Sequence, residues 1–311
     1  MDPIARILRD HTVLILDGAL ATELERRGAD LRDPLWSANV LIKAPALIKQ
    51  VHADYFAAGA DCATTATYQA TFEGFARRGI DHAGSVDLMH LAVRLAVEAR
   101  DDFWADPVHR AGRPRPLVAA SLGSYGAFLA DGSEYRGDYG LDEAALMAFH
   151  RPRMAALAHC GADLFACETI PSLVEARALA HLLTEFPRCH AWISFSASNA
   201  AHTCHGEPLA ACAAQLDRYE QVAAIGVNCT TPRHIAALVD AARAGTGKPI
   251  IVYPNSGETY RPEDGSWTGA PEIESFVELA SGWYARGARL IGGCCRTTPA
   301  HIRAVSRLLR G

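Results

Sequence analysis

Short apolar runs alternate with longer stretches of helical period along nearly the whole chain. Eight runs stand out: Val13–Asp17, Cys62–Thr67, Leu117–Ser121, Leu164–Glu168, Ala191–Phe195, Ala223–Asn228, Pro249–Pro254 and Arg289–Cys294. Most are apolar on both faces and bounded by Gly, Asp, Asn or Pro, the pattern of strands in a parallel sheet covered on both sides. Between them, Pro45–Ala60 places Leu47, Ile48, Val51, Tyr55 and Phe56 on one helical face, with Pro45 in its first turn. Ser85–Phe103, Ser172–Phe186, Thr231–Arg243, Ile273–Ala288 and Thr298–Leu309 repeat that periodicity, and Glu207–Val222 holds a weaker example. Leu141–Ala162 is striped too, but Pro152 is expected to kink or break it, because proline lacks the N–H that the preceding turn needs.

Eight strand–helix units in 311 residues predict an α/β fold, a (β/α)8 TIM barrel formed as one domain over residues 1–311. An open doubly wound sheet is the alternative, and no Gly-x-Gly-x-x-Gly turn follows the first strand to support it. Barrel active sites form at the carboxyl ends of the strands. Those ends carry Asp17-Gly18-Ala19, Thr67-Tyr68-Gln69, Ser121, Glu168-Thr169, Asn228-Cys229, Tyr253 and Cys294-Cys295.

Composition narrows the function. Half of the residues are hydrophobic and 21% are charged, ordinary for a protein with a sizeable core. A net charge of −5 argues against nucleic-acid or membrane-surface partners, which select basic faces. The start of the chain shows no signal-peptide pattern, and no apolar run is long enough to span a bilayer. Nine cysteines without framework spacing fit a reducing compartment, so a cytoplasmic protein is expected, as a monomer or small homo-oligomer.

Three of those cysteines fall at the strand ends: Cys229 on the sixth strand and Cys294 and Cys295 on the eighth, two strands away around the rim. Adjacent side chains on a strand point to opposite faces, so Cys294 and Cys295 can share a centre only if the backbone leaves the pleat. Gly292-Gly293 is expected to give that freedom. Three cysteine sulfurs suit zinc and leave a fourth position open, the mark of a catalytic rather than structural ion. Cys62, Cys160, Cys167, Cys189 and Cys212 read as small buried hydrophobes, and Cys204-His205 ranks second as a ligand pair.

The stretches Leu16–Gly28, His52–Thr71, Cys167–Ala176, Gly226–Thr230, Val252–Glu258 and Ile291–Ile302 together resemble the homocysteine S-methyltransferase family. Asp33–Leu41 and Thr67–Ile80 resemble its S-methylmethionine-using members in particular. The resemblance implies a barrel with one Zn2+ on Cys229, Cys294 and Cys295, and transfer of a sulfonium methyl to the homocysteine thiolate to form methionine. S-Methylmethionine is the expected donor, with S-adenosylmethionine a possible second. Glu168 is then assigned to the homocysteine ammonium, with Asp17 as the second acid and the Gly18 and Ala19 N–H groups as carboxylate donors. Trp36 and Tyr68, and after them Tyr253, are candidates to receive the donor cation on an aromatic face. Thr67, Gln69 and Asn228 are expected to position the substrates. Betaine-using relatives carry an aromatic residue where Thr169 follows Glu168 here, which speaks against betaine. The alternatives are a betaine-dependent homocysteine methyltransferase, a zinc hydrolase, which would favour His and carboxylate ligands, and a non-catalytic barrel that binds homocysteine or zinc.

Overall fold

The computed structural model describes residues 2–30, 37–261, 266–268 and 273–311. Its strands are β1 (Leu14–Ile15), β2 (Cys62–Thr64), β3 (Leu117–Gly123), β4 (Leu164–Ile170), β5 (Ala191–Phe195), β6 (Val222–Asn228), β7 (Ile250–Tyr253), β8 (Thr259–Arg261), β9 (Ser266–Thr268) and β10 (Ala288–Ile291). Eight of them form one parallel sheet in the order β1-β10-β7-β6-β5-β4-β3-β2. A parallel bridge between Leu16 and Cys62 closes the ring, with the Asp17 N–H donating to the Cys62 carbonyl at 3.0 Å. The eight expected strands are all present, and helices lie between them in a (β/α)8 barrel.

Strand alternation divides the apolar residues into two layers. Leu14, Leu16, Ala119, Ala166, Trp192, Ala224, Ile251 and Leu290 fill the barrel interior, and Ile15, Val118, Phe165, Ile193, Val227 and Val252 pack outward beneath the helices. Each large aliphatic side chain removed from water in this way contributes about 1.5–3 kcal/mol. An amino-terminal helix, Pro3–Asp10, which the strand–helix pattern did not anticipate, pushes Ile4 and Ile7 into the inner layer. Asp2 caps it by accepting the Ile4 N–H at 2.8 Å. Gly226 on β6 is required by close approach: a Cβ there would sit 1.8 Å from the Ile251 carbonyl oxygen.

Two local expectations are corrected. The helix Glu143–Leu157 runs through Pro152 without a break. Pro152 and Ala148, whose carbonyl loses its partner, both lie on the exposed face, where water can satisfy that oxygen. The stretch after β7, where no strand-forming run stood out, pairs β8 with β9 as an antiparallel ribbon. Among the described residues no helix is long and apolar enough to cross a membrane.

Candidate active site at the carboxyl ends of the strands

The inner layer turns polar at the top of the barrel. Ser121, Glu168, Ser194, Asn228 and Tyr253 continue the inward parity of Ala119, Ala166, Trp192, Gly226 and Ile251 on their respective strands, and all five are buried. Polar groups in such a place must bond one another, and they do. Ser121 Oγ donates to Glu168 Oε1 at 2.5 Å, and the Tyr253 hydroxyl also bonds Glu168. Trp192 Nε1 donates to the Tyr253 hydroxyl at 2.9 Å, which lies 2.6 Å from Ser194 Oγ. Ser194 Oγ in turn donates to Asn228 Oδ1 at 2.9 Å.

Asn228 is the hub. Its Oδ1 also accepts the Thr169 N–H at 2.7 Å, and its Nδ2 donates to Thr169 Oγ1 at 2.8 Å and lies 4.0 Å from Cys294 Sγ. Thr169 needs this brace because its φ of 57° is in the left-handed region, costly for a β-branched residue. Cys229, with φ 46°, and Arg296, with φ 69°, are strained in the same way. Three of the four non-glycine residues with positive φ among the described residues therefore border this one site.

The three expected cysteines converge: the sulfurs of Cys229, Cys294 and Cys295 all lie within 4.8 Å of one another, the single such group of possible metal ligands among the described residues. Cys229 and Cys294 are joined as a disulfide with Cα atoms 5.5 Å apart, and Cys295 Sγ is 3.8 Å from Cys229 Sγ. A metal needs all of these sulfurs as thiolates, so it excludes the disulfide. Burial pushes the Cys295 thiol up to about 12, so a thiolate there calls for a nearby cation.

The reason expected for Gly292-Gly293 is corrected. Neither glycine has a positive φ. Both are needed for close approach, since a Cβ on Gly293 would lie 2.3 Å from Thr297 Oγ1 and one on Gly292 2.5 Å from Leu16 Cβ. The chain leaves the pleat through a tight turn in which Thr297 N and Oγ1 both donate to the Cys294 carbonyl, at 3.1 and 2.6 Å. Cys294 N donates to the Pro254 carbonyl, and the Cys295 carbonyl accepts from Ser256 N, which tie the turn to the segment after β7.

The two acids stand together. Asp17 Oδ2 accepts the Thr64 N–H at 2.8 Å, and the Thr64 hydroxyl lies 3.2 Å from both Asp17 oxygens. Burial raises the Asp17 carboxyl well above its usual range, and the charge of Glu168 adds to the effect. Burial likewise pushes Glu168 up to about 7, against the pull of its bonds from Ser121 and Tyr253. Two buried acids that resist ionisation form a site ready for a cation.

A model of the family described as homocysteine S-methyltransferase matches residues 14–309. The chain belongs to the homocysteine S-methyltransferase family. Homocysteine S-methyltransferase YbgG of Bacillus subtilis (strain 168) is 56% identical over 310 residues, covering 100% of this chain and 98% of that protein. The metallated form of the homocysteine methyltransferase MmuM from Escherichia coli superposes with a TM-score of 0.89 at 48% identity, over 98% of this chain and 99% of that one. Its oxidized form superposes with a TM-score of 0.90 at 48% identity, over 99% of this chain and 100% of that one. This methyltransferase is thus an enzyme that acts on homocysteine, on a TIM barrel.

Other expected site residues sit differently in this homocysteine methyltransferase. The Ala19 N–H is already given to Thr297 Oγ1 at 3.2 Å, so it is not a free carboxylate donor. Gly18 packs where a Cβ would be 2.9 Å from Tyr55 and Thr297. Thr67 is wholly buried, its hydroxyl donating to the Ser121 carbonyl at 2.7 Å, so it braces the strand ends. Tyr253 is committed to the polar network beneath the site, not to an aromatic surface above it. Gln69 Nε2 donates to the Ala127 carbonyl at 2.9 Å while its Oε1 is buried without a partner among the described residues. Tyr68 is half-buried and hydrogen-bonded to Thr169. Trp36 lies outside the described residues. His205 bonds Glu207 at 2.8 Å, and neither it nor Cys204 joins the sulfur cluster.

Arg153, on the helix after β3, was not anticipated. Its guanidinium is wholly enclosed and donates to the carbonyls of Gly123, Thr67 and Tyr68 at 3.1, 3.4 and 3.0 Å, fixing the ends of β2 and β3. Glu134 and Tyr135 were missed for a similar reason. They occupy a 3-10 turn, Ser133–Tyr135, far in sequence from any strand end, which is anchored over the barrel mouth by Ser196 Oγ donating to the Glu134 carbonyl at 2.8 Å.

Proposed function

We propose that this enzyme transfers a methyl group from S-methylmethionine to homocysteine, with Zn2+ held by Cys229, Cys294 and Cys295. The observation that carries this reading is the convergence of three sulfurs near Glu168, itself paired with the buried Asp17. Tetrahedral zinc with Zn–S bonds of about 2.3 Å separates its sulfurs by about 3.8 Å, the spacing of Cys229 and Cys295. The all-sulfur set is soft, which favours zinc over magnesium or calcium.

The ion, when bound, lowers the pKa of the homocysteine thiol so that it reacts as a thiolate. The chain supplies the rest. Glu168 and Asp17 take the homocysteine ammonium, which offsets the cost of burying their charges. Asn228 holds Thr169 and approaches Cys294, so the acid and the sulfur cluster keep one geometry. In the transfer, a sulfur lone pair of homocysteine forms the new C–S bond. The donor's methyl–sulfur bond breaks, and its electron pair returns to the donor sulfur. Homocysteine thiolate and S-methylmethionine thus give two molecules of methionine, with the sulfonium charge neutralised. Thr169 in place of an aromatic side chain favours a donor recognised through its amino-acid groups over betaine.

The test is methionine formation from homocysteine and S-methylmethionine by freshly reduced protein, with metal content assayed on the same sample. Turnover that tracks one zinc per chain is expected. One zinc bound with no turnover discards the donor, and turnover independent of metal discards the ion.

A further inference from the structure

Two amino acids must enter the proposed reaction, each bringing an ammonium group. Glu168 and Asp17 account for one. The donor's ammonium needs a further partner, and the barrel mouth holds another acid, Glu134, with an oxygen unused among the described residues.

Glu134 Oε2 is shut off from solvent and has no hydrogen-bond partner among the described residues. Arg136, the adjacent cation, pulls the Glu134 carboxyl down through its charge, but its hydrogen bonds go elsewhere. That guanidinium is spread over Asp138 at 3.3 Å, Asp131 at 3.8 Å and Ser133 Oγ at 2.9 Å. An unpaired carboxylate oxygen kept from water costs free energy unless a ligand meets it. The turn that carries Glu134 is held firmly. Its backbone is tied to β5 through Ser196, and Gly126 abuts it so closely that a Cβ there would lie 2.3 Å from the Glu134 nitrogen. The segment on either side is pinned by the buried Glu175, which accepts from Tyr125 N at 2.5 Å, Tyr139 at 2.9 Å and His150 at 2.9 Å. Glu134 thus sits on a rigid cover, not a wandering loop.

The cover faces the chemistry. The charge of Glu134 bears on the Cys295 thiol and on the phenols of Tyr68 and Tyr135. Tyr68 reaches Thr169, next to Glu168, and Tyr135 keeps 39% of its surface exposed. Two tyrosine rings and an unpaired carboxylate oxygen therefore stand near Cys295 of the sulfur cluster. Burial also raises the Glu134 carboxyl, with Asp131 adding to the effect, as expected of an acid waiting for a cation.

We infer that Glu134 binds the α-ammonium of the methyl donor, with Tyr68 and Tyr135 beside its sulfonium, making this turn the donor-specificity element of the enzyme. The inference rests on the proposed sulfonium amino-acid donor and adds the residue that recognises it. The ammonium, not the sulfonium, is the matched group. The sulfonium loses its charge as the methyl leaves, so a carboxylate against it would hold the reactant more tightly than the transition state and slow the reaction. The ammonium keeps its charge throughout, so a carboxylate there binds the donor without that penalty.

The experiment is steady-state kinetics of the zinc-loaded enzyme and its Glu134→Gln and Glu134→Asp variants, with the two substrates varied in turn. Glu134→Gln should raise the donor KM about ten- to a hundred-fold, the range of one lost charge-assisted hydrogen bond. The homocysteine KM and the zinc content should stay within about two-fold, and Glu134→Asp should recover part of the donor affinity. With 3-(dimethylsulfonio)propanoate, a sulfonium that has no ammonium, Glu134→Gln should change the rate by less than about two-fold. An unchanged donor KM, an equal rise in both KM values, or an equal loss with the ammonium-free sulfonium overturns the inference. If the wild-type enzyme uses no sulfonium amino acid, the proposed donor and this residue's role fall together. If it does and Glu134→Gln is silent, only the role of Glu134 falls.

Discussion

Replacing Glu168 with glutamine separates what this residue costs the fold from what it gives the reaction. The change keeps the volume and an oxygen to accept from Ser121, removes the charge, and turns the second oxygen into an amide donor. Burial holds the carboxyl at about 7 against an ordinary value of 4.5, which disfavours its charged form by about 3 kcal/mol. The folded value is the raised one. Its stabilising contribution is therefore full below about pH 4.5 and is lost as pH rises through about 7. Relative to wild type, Glu168→Gln should thus gain up to about 3 kcal/mol between pH 4.5 and pH 8, measured by urea unfolding of the reduced proteins across that range. Activity should move the other way. The homocysteine KM of the variant should rise about ten- to a hundred-fold through loss of a charge-assisted bond to the ammonium. In wild type, kcat/KM for homocysteine should increase through about pH 7 as Glu168 ionises, and that limb should vanish in the variant. Parallel stability–pH curves for the two proteins would refute the burial argument, and an unchanged homocysteine KM would refute the assigned role.

Three further perturbations probe the rest of the site. Cys295→Ser should abolish both zinc retention and methionine formation, whereas Cys189→Ser, away from the cluster, should leave metal content and rate unchanged; elemental analysis beside the activity assay decides. Asn228→Ala should cost about 2–4 kcal/mol in urea unfolding, because it strands the Thr169 N–H and releases a residue held at φ 57°; a loss below about 1 kcal/mol would mean that Thr169 is held by other contacts. Gly293→Ala should weaken zinc binding and cost about 1–3 kcal/mol of stability, since the added methyl meets the buried Thr297 at 2.3 Å; a competitive chelator titration at wild-type affinity would show that the turn can move aside.

Much of the architecture was legible because it depends on local periodicity. Doubly apolar runs of five or six residues bounded by Gly, Asp, Asn or Pro read as strands covered on both faces, and eight of them alternating with amphipathic stretches point to a closed parallel barrel. That register alone placed Asp17, Glu168, Asn228 and the three cysteines at one rim. The amino-terminal helix and the β8–β9 ribbon escaped because each is short, and the barrel periodicity does not extend to them. Pro152 misled because the rule against proline in helices assumes an enclosed carbonyl, and here that carbonyl faces water.

By itself the sequence determined which side chains reach the carboxyl ends of the strands, since strand parity and strand ends follow from the order of apolar residues. Only the tertiary structure decided what those side chains do there. Arg153 and Glu134 come from segments whose sequence carries no strand-end signal, and they enter the site because the chain after β3 folds back over the barrel. The glycines before Cys294 are needed for contacts with Thr297 and Leu16, and left-handed backbone appears at Thr169, Cys229 and Arg296 instead. Hydrogen-bond partners and tight contacts depend on distances between residues remote in the chain, and one-dimensional periodicity does not encode those distances.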